Sequence, residues 1–258
     1  MTTLVFDIET VPDLESGRRL FDLDGLSDKE VAEVMFTKRR QETANASDFL
    51  RLHLHKVVAI SVVLAERDTL SVWSLGDSDA TEKEIVQRFF DGVEKYTPTL
   101  VSWNGRGFDL PVLHYRALLH GVTARRYWET GDNEQGFRWN NYLSRYHQRH
   151  TDLMDVIAGY EFRANAPLTE IAVMLGFPGK MGMGGDKVWE CFLAGELEAI
   201  RNYCETDVLN TWLVYLRFEQ MRGNLNETEY QRECERVRDM LVEEDKPHLT
   251  EFLQAWQA

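Results

Sequence analysis

The chain has 258 residues, 43% of them hydrophobic and 28% charged, with 43 Asp and Glu against 29 Lys and Arg for a net charge of −14. Such a composition builds a sizeable core and excludes bulk disorder, and no apolar run reaches the roughly 18–20 residues of a membrane span. The acidic balance argues against a passive nucleic-acid binder, which needs excess Lys and Arg to displace counterions, but not against an enzyme whose carboxylates are neutralised by bound metal.

In chain order, residues 3–8 alternate and are β-prone, which predicts a first strand. Residues 13–50 read as a turn followed by a polar helix over about 27–43. Two strands, 56–66 and 69–75, are separated by Glu66-Arg67-Asp68, a link short enough for a hairpin. A helix over about 80–95, a strand at 99–103 and a helix at 109–120 follow. Locally paired strands that then alternate with helices predict an α/β fold with a mixed sheet. From 151 onward the pattern is helical, at about 151–159, 168–175, 188–194 and 196–220, with Gly and Pro marking 176–185 as a loop. Residues 222–258 carry nine acids against five Lys and Arg. They read as a charged helical appendage, a solvated cap or arm, to a domain spanning 1–221.

Cys191, Cys204 and Cys234 are odd in number and lack C-x-x-C spacing, so reduced thiols are expected rather than disulfides or a zinc ribbon. The N-terminus runs straight into Leu4-Val5-Phe6-Asp7 with no signal-peptide pattern, which predicts a soluble cytoplasmic protein.

Three stretches concentrate the chemistry: FDIET (6–10), WNGRGFDLPVL (103–113) and YCETD (203–207). Asp7 and Glu9 are two apart on a strand, so both leave the same face, and paired carboxylates on a rigid element suit hard cations such as Mg²⁺ or Mn²⁺. Asp109 opens a helix, where capping is its ordinary role. The preceding loop contains Asn104, Gly105 and Gly107, which let backbone approach a ligand, and Phe108, whose face can stack on a base. Tyr203 and Asp207 share one face of the last long helix, roughly 6 Å apart at Cβ. Asp207 lies near the apolar stripe of that helix, and a buried carboxylate there needs a partner.

Together the three stretches resemble the exonuclease motifs of the DEDD superfamily of 3′→5′ exonucleases. The second and third are similar to those of the proofreading domain of family-B DNA polymerases. The resemblance spans residues 3–220 and implies a ribonuclease-H-like fold in a free-standing relative of that module. Position 202 is Asn, where one class of the superfamily has His, and Tyr203 lies four before Asp207, so the chain resembles the tyrosine (DEDDy) class. The resemblance implies two-metal phosphodiester hydrolysis releasing nucleoside 5′-monophosphates. In that scheme Asp7 bridges two cations, Glu9 and Asp207 complete one, Asp109 holds the other, and Tyr203 aligns the attacking water. Asn104, Phe108 and the backbone at Thr10 and Val11 would hold the terminal nucleotides.

Residues 137–150 (FRWNNYLSRYHQRH) contain no acid and interleave Arg138, Arg145 and Arg149 with aromatics, a pattern that suits a single strand. Packing of those aromatics on the core is the ordinary account. His150, Asp152 and Asp155 read as a helix cap more economically than as a metal cluster. The loop carrying Lys180 and Lys187 lacks the phosphate-loop pattern. Nucleic acid 3′ ends are the expected partner, with single-stranded DNA favoured over RNA. A silent nucleic-acid-binding scaffold on the same fold is the reading from another class, and the complete set of carboxylates argues against it.

Overall fold

The computed structural model describes residues 2–257. Its first strand, β1 (Thr3–Pro12), sets the layers by alternation. Leu4, Phe6 and Ile8 point to one side of the sheet, and Val5 and Val11 to the other. The strand runs past the expected end at residue 8, so Glu9 and Thr10 are sheet residues. It is followed by α1 (Leu14–Phe21), α2 (Asp28–Glu42), β2 (His55–Ala65), β3 (Leu70–Ser74) and α3 (Glu82–Tyr96). Then come β4 (Thr99–Ser102), α4 (Asp109–His120), the single turn α5 (Arg125–Trp128) and β5 (His150–Asp152). The remainder is helical: α6 (Leu153–Ile157), α7 (Leu168–Met174), α8 (Val188–Leu193), α9 (Leu197–Met221), α10 (Glu227–Glu244) and α11 (Pro247–Gln257).

Among the described residues the strands form one five-stranded sheet in the order β3-β2-β1-β4-β5. The hairpin side is antiparallel, and β1, β4 and β5 run parallel. Helices α3 and α4 cover one face through Val86, Phe89, Phe90, Leu110 and Leu113. The other face is covered by α9 through Val208, Leu209, Trp212 and Leu213. This is the mixed sheet flanked by helices expected of a ribonuclease-H-like fold.

Three local expectations need correction. Helix α1 lies where a turn was predicted; it is short and carries Gly17, a poor helix former, because a side chain there would collide with Met35. Residues 150–152 form the fifth strand, not the start of a helix. Three residues are too few to show a period of two, and parallel pairing with Leu100–Ser102 decides their state.

The third correction concerns the C-terminal segment, which is helical but not a solvated arm. Its Tyr230, Cys234, Val237, Met240, Leu241, Leu249 and Phe252 are buried in the same cluster as α9. The fully buried aliphatic and Phe side chains among them contribute about 1.5–3 kcal/mol each.

A buried ion cluster fixes α4. Arg116 donates to Asp13 (2.5 Å) just beyond β1 and to both carboxylate oxygens of Glu82 (2.6 and 2.7 Å) at the start of α3. Removing one partner of such a cluster costs about 3–5 kcal/mol, so it constrains the helix that begins with Asp109.

Candidate active site

The first two carboxylates owe their placement to β1 and an irregularity beside them. Asp7 pairs with Ser61 and Glu9 with Ala59, after which the register slips and Thr10 faces Val57, leaving Val58 as the extra residue on β2. A bulge of this kind bends the strand and re-aims its side chains. The N–H of Val57 at the slip is taken up by Glu82 (2.6 Å). Asp7 and Glu9 share the sheet face that α9 covers. Glu9 is 7% exposed and Asp7 half-buried.

The third carboxylate is delivered by the turn between β4 and α4. Asn104 takes a left-handed conformation (φ 62°), and its carbonyl accepts from the N–H groups of Gly107 (2.9 Å) and Phe108 (3.0 Å). The two oxygens of Asp152 accept from the N–H groups of Asn104 and Arg106, both at 2.9 Å. A side chain at Gly105 would collide with Ser102, and one at Gly107 with Asn104. The turn therefore requires glycine at 105, whereas a side chain at 107 would displace the Asn104 amide. Asp109, 3% exposed, opens α4 buried close to β1, and its own N–H and that of Ile8 partly offset the rise that burial imposes on its carboxyl.

The last two groups come from α9. Tyr203 and Asp207, one turn apart and half-buried, sit close enough for the phenol to favour the charged Asp207 carboxylate and for that carboxylate to raise the phenol. Five of the predicted groups thus converge: Asp7 feels the charges of Asp109, Glu9 and Asp207, and Tyr203 those of Asp207, Glu9 and Asp7.

Burial is the first cause of the electrostatics and mutual repulsion the second. Both hold Asp7 and Glu9 well above the ordinary carboxylate range. Burial raises Asp109 to about 7 and Asp207 to about 6, the latter eased by the Tyr203 phenol and the charge of Lys180. Burial and the surrounding acids push the Tyr203 phenol far up, so it remains a donor.

A cluster of hard oxygen donors that resists ionisation is chemically matched to a divalent cation, which supplies the missing positive charge. Donor atoms of Asp7, Glu9 and Cys204 lie within 4.8 Å of one another. Burial first, and then the Asp7 and Glu9 charges, hold the Cys204 thiol well above its usual range. It is protonated and lies 3.4 Å from the Asp7 carbonyl and 3.6 Å from its Oδ2. As a neutral thiol it is a donor to Asp7, not a soft ligand.

The predicted substrate-contacting residues divide. Thr10 sits at the bulge, its hydroxyl donating to Nδ1 of His55 (2.9 Å). Val11 buries its side chain among Val188, Ile200 and Cys204, so only its backbone is free to line a pocket. Asn104 and Arg145 line one groove of about 710 Å³ with Arg106, His114, Trp128 and Phe162. Arg145 is paired there with Asp155 (2.8 Å). Arg149 is turned inward, its guanidinium 4.0 Å from the Phe137 ring centroid and bonded to the Asn140 carbonyl (2.7 Å). It braces its own loop, and Arg138, though exposed, packs against Gly131. Phe137 and Tyr142 are core residues, so the basic-aromatic segment is in large part scaffold. His150 bonds Ser102 (2.8 Å), and Asp152 caps α6.

Sequence reasoning missed Phe49 and His55. Phe49, 53% exposed, lies 5.6 Å from the Phe108 ring, and His55 meets Phe108 edge-on at 5.3 Å. An exposed aromatic beside Phe108 extends the flat surface next to the carboxylates. The signal available was a lone Phe in the otherwise polar run 41–49. Lys180 was read only as part of a loop. Asn210 pins that loop to α9 by bonding both backbone groups of Gly179 (3.1 and 2.8 Å), which holds Lys180 near Asp207.

A family model described as a predicted 3′-5′ exonuclease related to the exonuclease domain of PolB matches residues 47–256. The match includes the second and third motifs and the C-terminal helices, while Asp7 and Glu9 lie before its start. No curated protein matches the chain.

Proposed function

Because the chain belongs to the family of predicted 3′-5′ exonucleases related to the exonuclease domain of PolB, we propose that it removes nucleotides from 3′ ends of single-stranded DNA or frayed duplexes with the help of two divalent cations. The observation that carries this reading is the convergence of Asp7, Glu9, Asp109 and Asp207 beside Tyr203. Family membership makes divalent-metal dependence and a nucleic-acid substrate the natural expectation, and the carboxylate cluster supports both. Among the described residues no helix is long and apolar enough to cross a membrane.

Asp7, Glu9 and Asp207 would hold one cation, and Asp109 with Asp7 the other. When bound, Mg²⁺ or Mn²⁺ supplies an activated water and neutralises charge developing on the leaving 3′ oxygen. The protein's own groups do the rest. The Tyr203 phenol keeps its proton and would donate a hydrogen bond that aligns the attacking water. Lys180, on the loop held by the Asn210–Gly179 clamp and 3.7 Å from Asp186, offers a cation whose charge reaches Asp207 for the scissile phosphate. Phe108 and Phe49 provide stacking surfaces for bases near the 3′ end, and Thr10 is oriented by His55.

Product chemistry tests the reading. With 3′-labelled single-stranded DNA, the first labelled species should be a nucleoside 5′-monophosphate, identified by mass spectrometry. A nucleoside 3′-monophosphate, or an oligonucleotide as first product, would refute it.

A further inference from the structure

The C-terminal helices reach the strand paired with Asp7 through a chain of buried polar side chains. It starts at His248 on α11, whose Nε2 donates to Oε2 of Glu205 (2.8 Å). Glu205 belongs to the YCETD stretch but faces away from the carboxylate cluster. Its other oxygen accepts the hydroxyl of Ser74 at the end of β3 (2.9 Å). Ser74 lies 2.9 Å from Ser61 on β2, and since its proton goes to Glu205, Ser61 is the donor in that contact. Ser61 is the β2 residue paired with Asp7. From α9 itself, the Cys204 thiol contacts the Asp7 carbonyl and carboxylate. Ser61, Ser74, Cys204 and Glu205 are all buried.

Hydrophobic packing alone does not call for this arrangement. A buried carboxylate is costly to fold in unless it is paired and each of its oxygens is bonded. Here that carboxylate stands two residues before Asp207 and two after Tyr203. Arg201, one turn earlier on α9, grips the same strand end by donating to the carbonyls of Ser74 (3.3 Å) and Gly76 (2.7 Å). Together Arg201 and Glu205 fix the rotation and height of α9 on the sheet at the turn that aims Tyr203 and Asp207. Lys246, 3.9 Å from Glu205, adds a second contact from the C-terminal segment.

We propose that His248 is a positioning residue for the metal-binding centre: by holding Glu205 it sets α9 with its Cys204–Asp7 contact and, through Ser74 and Ser61, the strand pair that carries Asp7. The C-terminal helices thereby become part of the catalytic apparatus without touching substrate. This rests on the metal-dependent reading above.

The test uses the full chain and Mn²⁺ alone as probe. Free Mn²⁺ is counted by electron paramagnetic resonance in wild type, His248→Ala, His248→Gln and Ser74→Ala, with Asp7→Ala as control. Loss of a group that orients a metal ligand typically weakens metal affinity or activity roughly 10- to 100-fold. His248→Ala and Ser74→Ala should therefore bind Mn²⁺ about tenfold more weakly. The kcat on single-stranded DNA should fall alongside, with KM unchanged. His248→Gln, which keeps a neutral donor in place, should restore both.

Unchanged Mn²⁺ affinity in folded His248→Ala and Ser74→Ala would overturn the proposal, even if both melt earlier. Should His248→Ala fail to fold, Ser74→Ala interrupts the same chain and decides alone. A wild type that neither binds Mn²⁺ nor responds to Asp7→Ala would instead sink the underlying metal-dependent reading.

Discussion

Raising the pH on metal-free protein should destabilise it, and adding a divalent cation should reverse the effect. Burial lifts Asp109 from 3.8 to about 7. A carboxyl whose folded pKa lies above its unfolded value holds its proton more tightly in the folded chain. Its contribution is complete below about pH 4 and is lost as pH rises through 7. At about 1.4 kcal/mol per tenfold, Asp109 alone costs the folded state on the order of 4 kcal/mol across the whole window. About 3 kcal/mol of that falls between pH 5 and 8. For a chain of this size that corresponds to a Tm drop of roughly 6–12 °C. Asp207, raised to about 6, acts in the same direction over the lower part of the window. Thermal unfolding followed by circular dichroism in EDTA from pH 5 to 8, repeated with Mn²⁺, measures it. Asp109→Asn should flatten the metal-free slope, which separates this term from the general repulsion of a −14 chain. A metal-free Tm that stays level or rises with pH, or an unchanged slope in Asp109→Asn, would refute the reasoning.

Three substitutions examine individual groups. Tyr203→Phe removes the donor but not the ring, so kcat should fall roughly 10- to 100-fold while Mn²⁺ affinity holds; single-turnover kinetics showing a wild-type rate would deny the water-aligning role. Phe49→Ala should weaken oligonucleotide binding by about 1–3 kcal/mol, seen as a raised KM with little change in kcat; an unaltered KM would remove Phe49 from the substrate surface. Cys204→Ser keeps a hydroxyl donor beside Asp7 and should leave Mn²⁺-dependent activity largely intact; abolished Mn²⁺ binding in a folded Cys204→Ser protein would mean the sulfur is a metal ligand.

What was legible in the sequence depended on whether a local pattern carried it. Asp7 and Glu9 could be placed on one face because strand alternation is local, and Tyr203 with Asp207 because a helical turn is local. The turn before Asp109 announced itself through Asn104, Gly105 and Gly107. Phe49 comes instead from the connection between α2 and β2 and His55 from the first position of β2, and only tertiary packing brings them to Phe108. Arg149 looked available because its partners, the Phe137 ring and the Asn140 carbonyl, are invisible in composition. The C-terminal helices were misread because charge was weighed over spacing. Tyr230, Cys234, Val237 and Leu241 follow an i, i+4, i+7, i+11 pattern, the signature of a buried stripe, and all four are in the core.

The central claim is tested most directly by incubating the protein with 5′-labelled single-stranded DNA and RNA of the same sequence, in Mg²⁺, Mn²⁺ or EDTA, beside Asp7→Ala. The account predicts a ladder shortening from the 3′ end, faster on DNA, abolished by EDTA and by Asp7→Ala. Degradation that persists in Asp7→Ala or in EDTA, or that proceeds from the 5′ end, would contradict it.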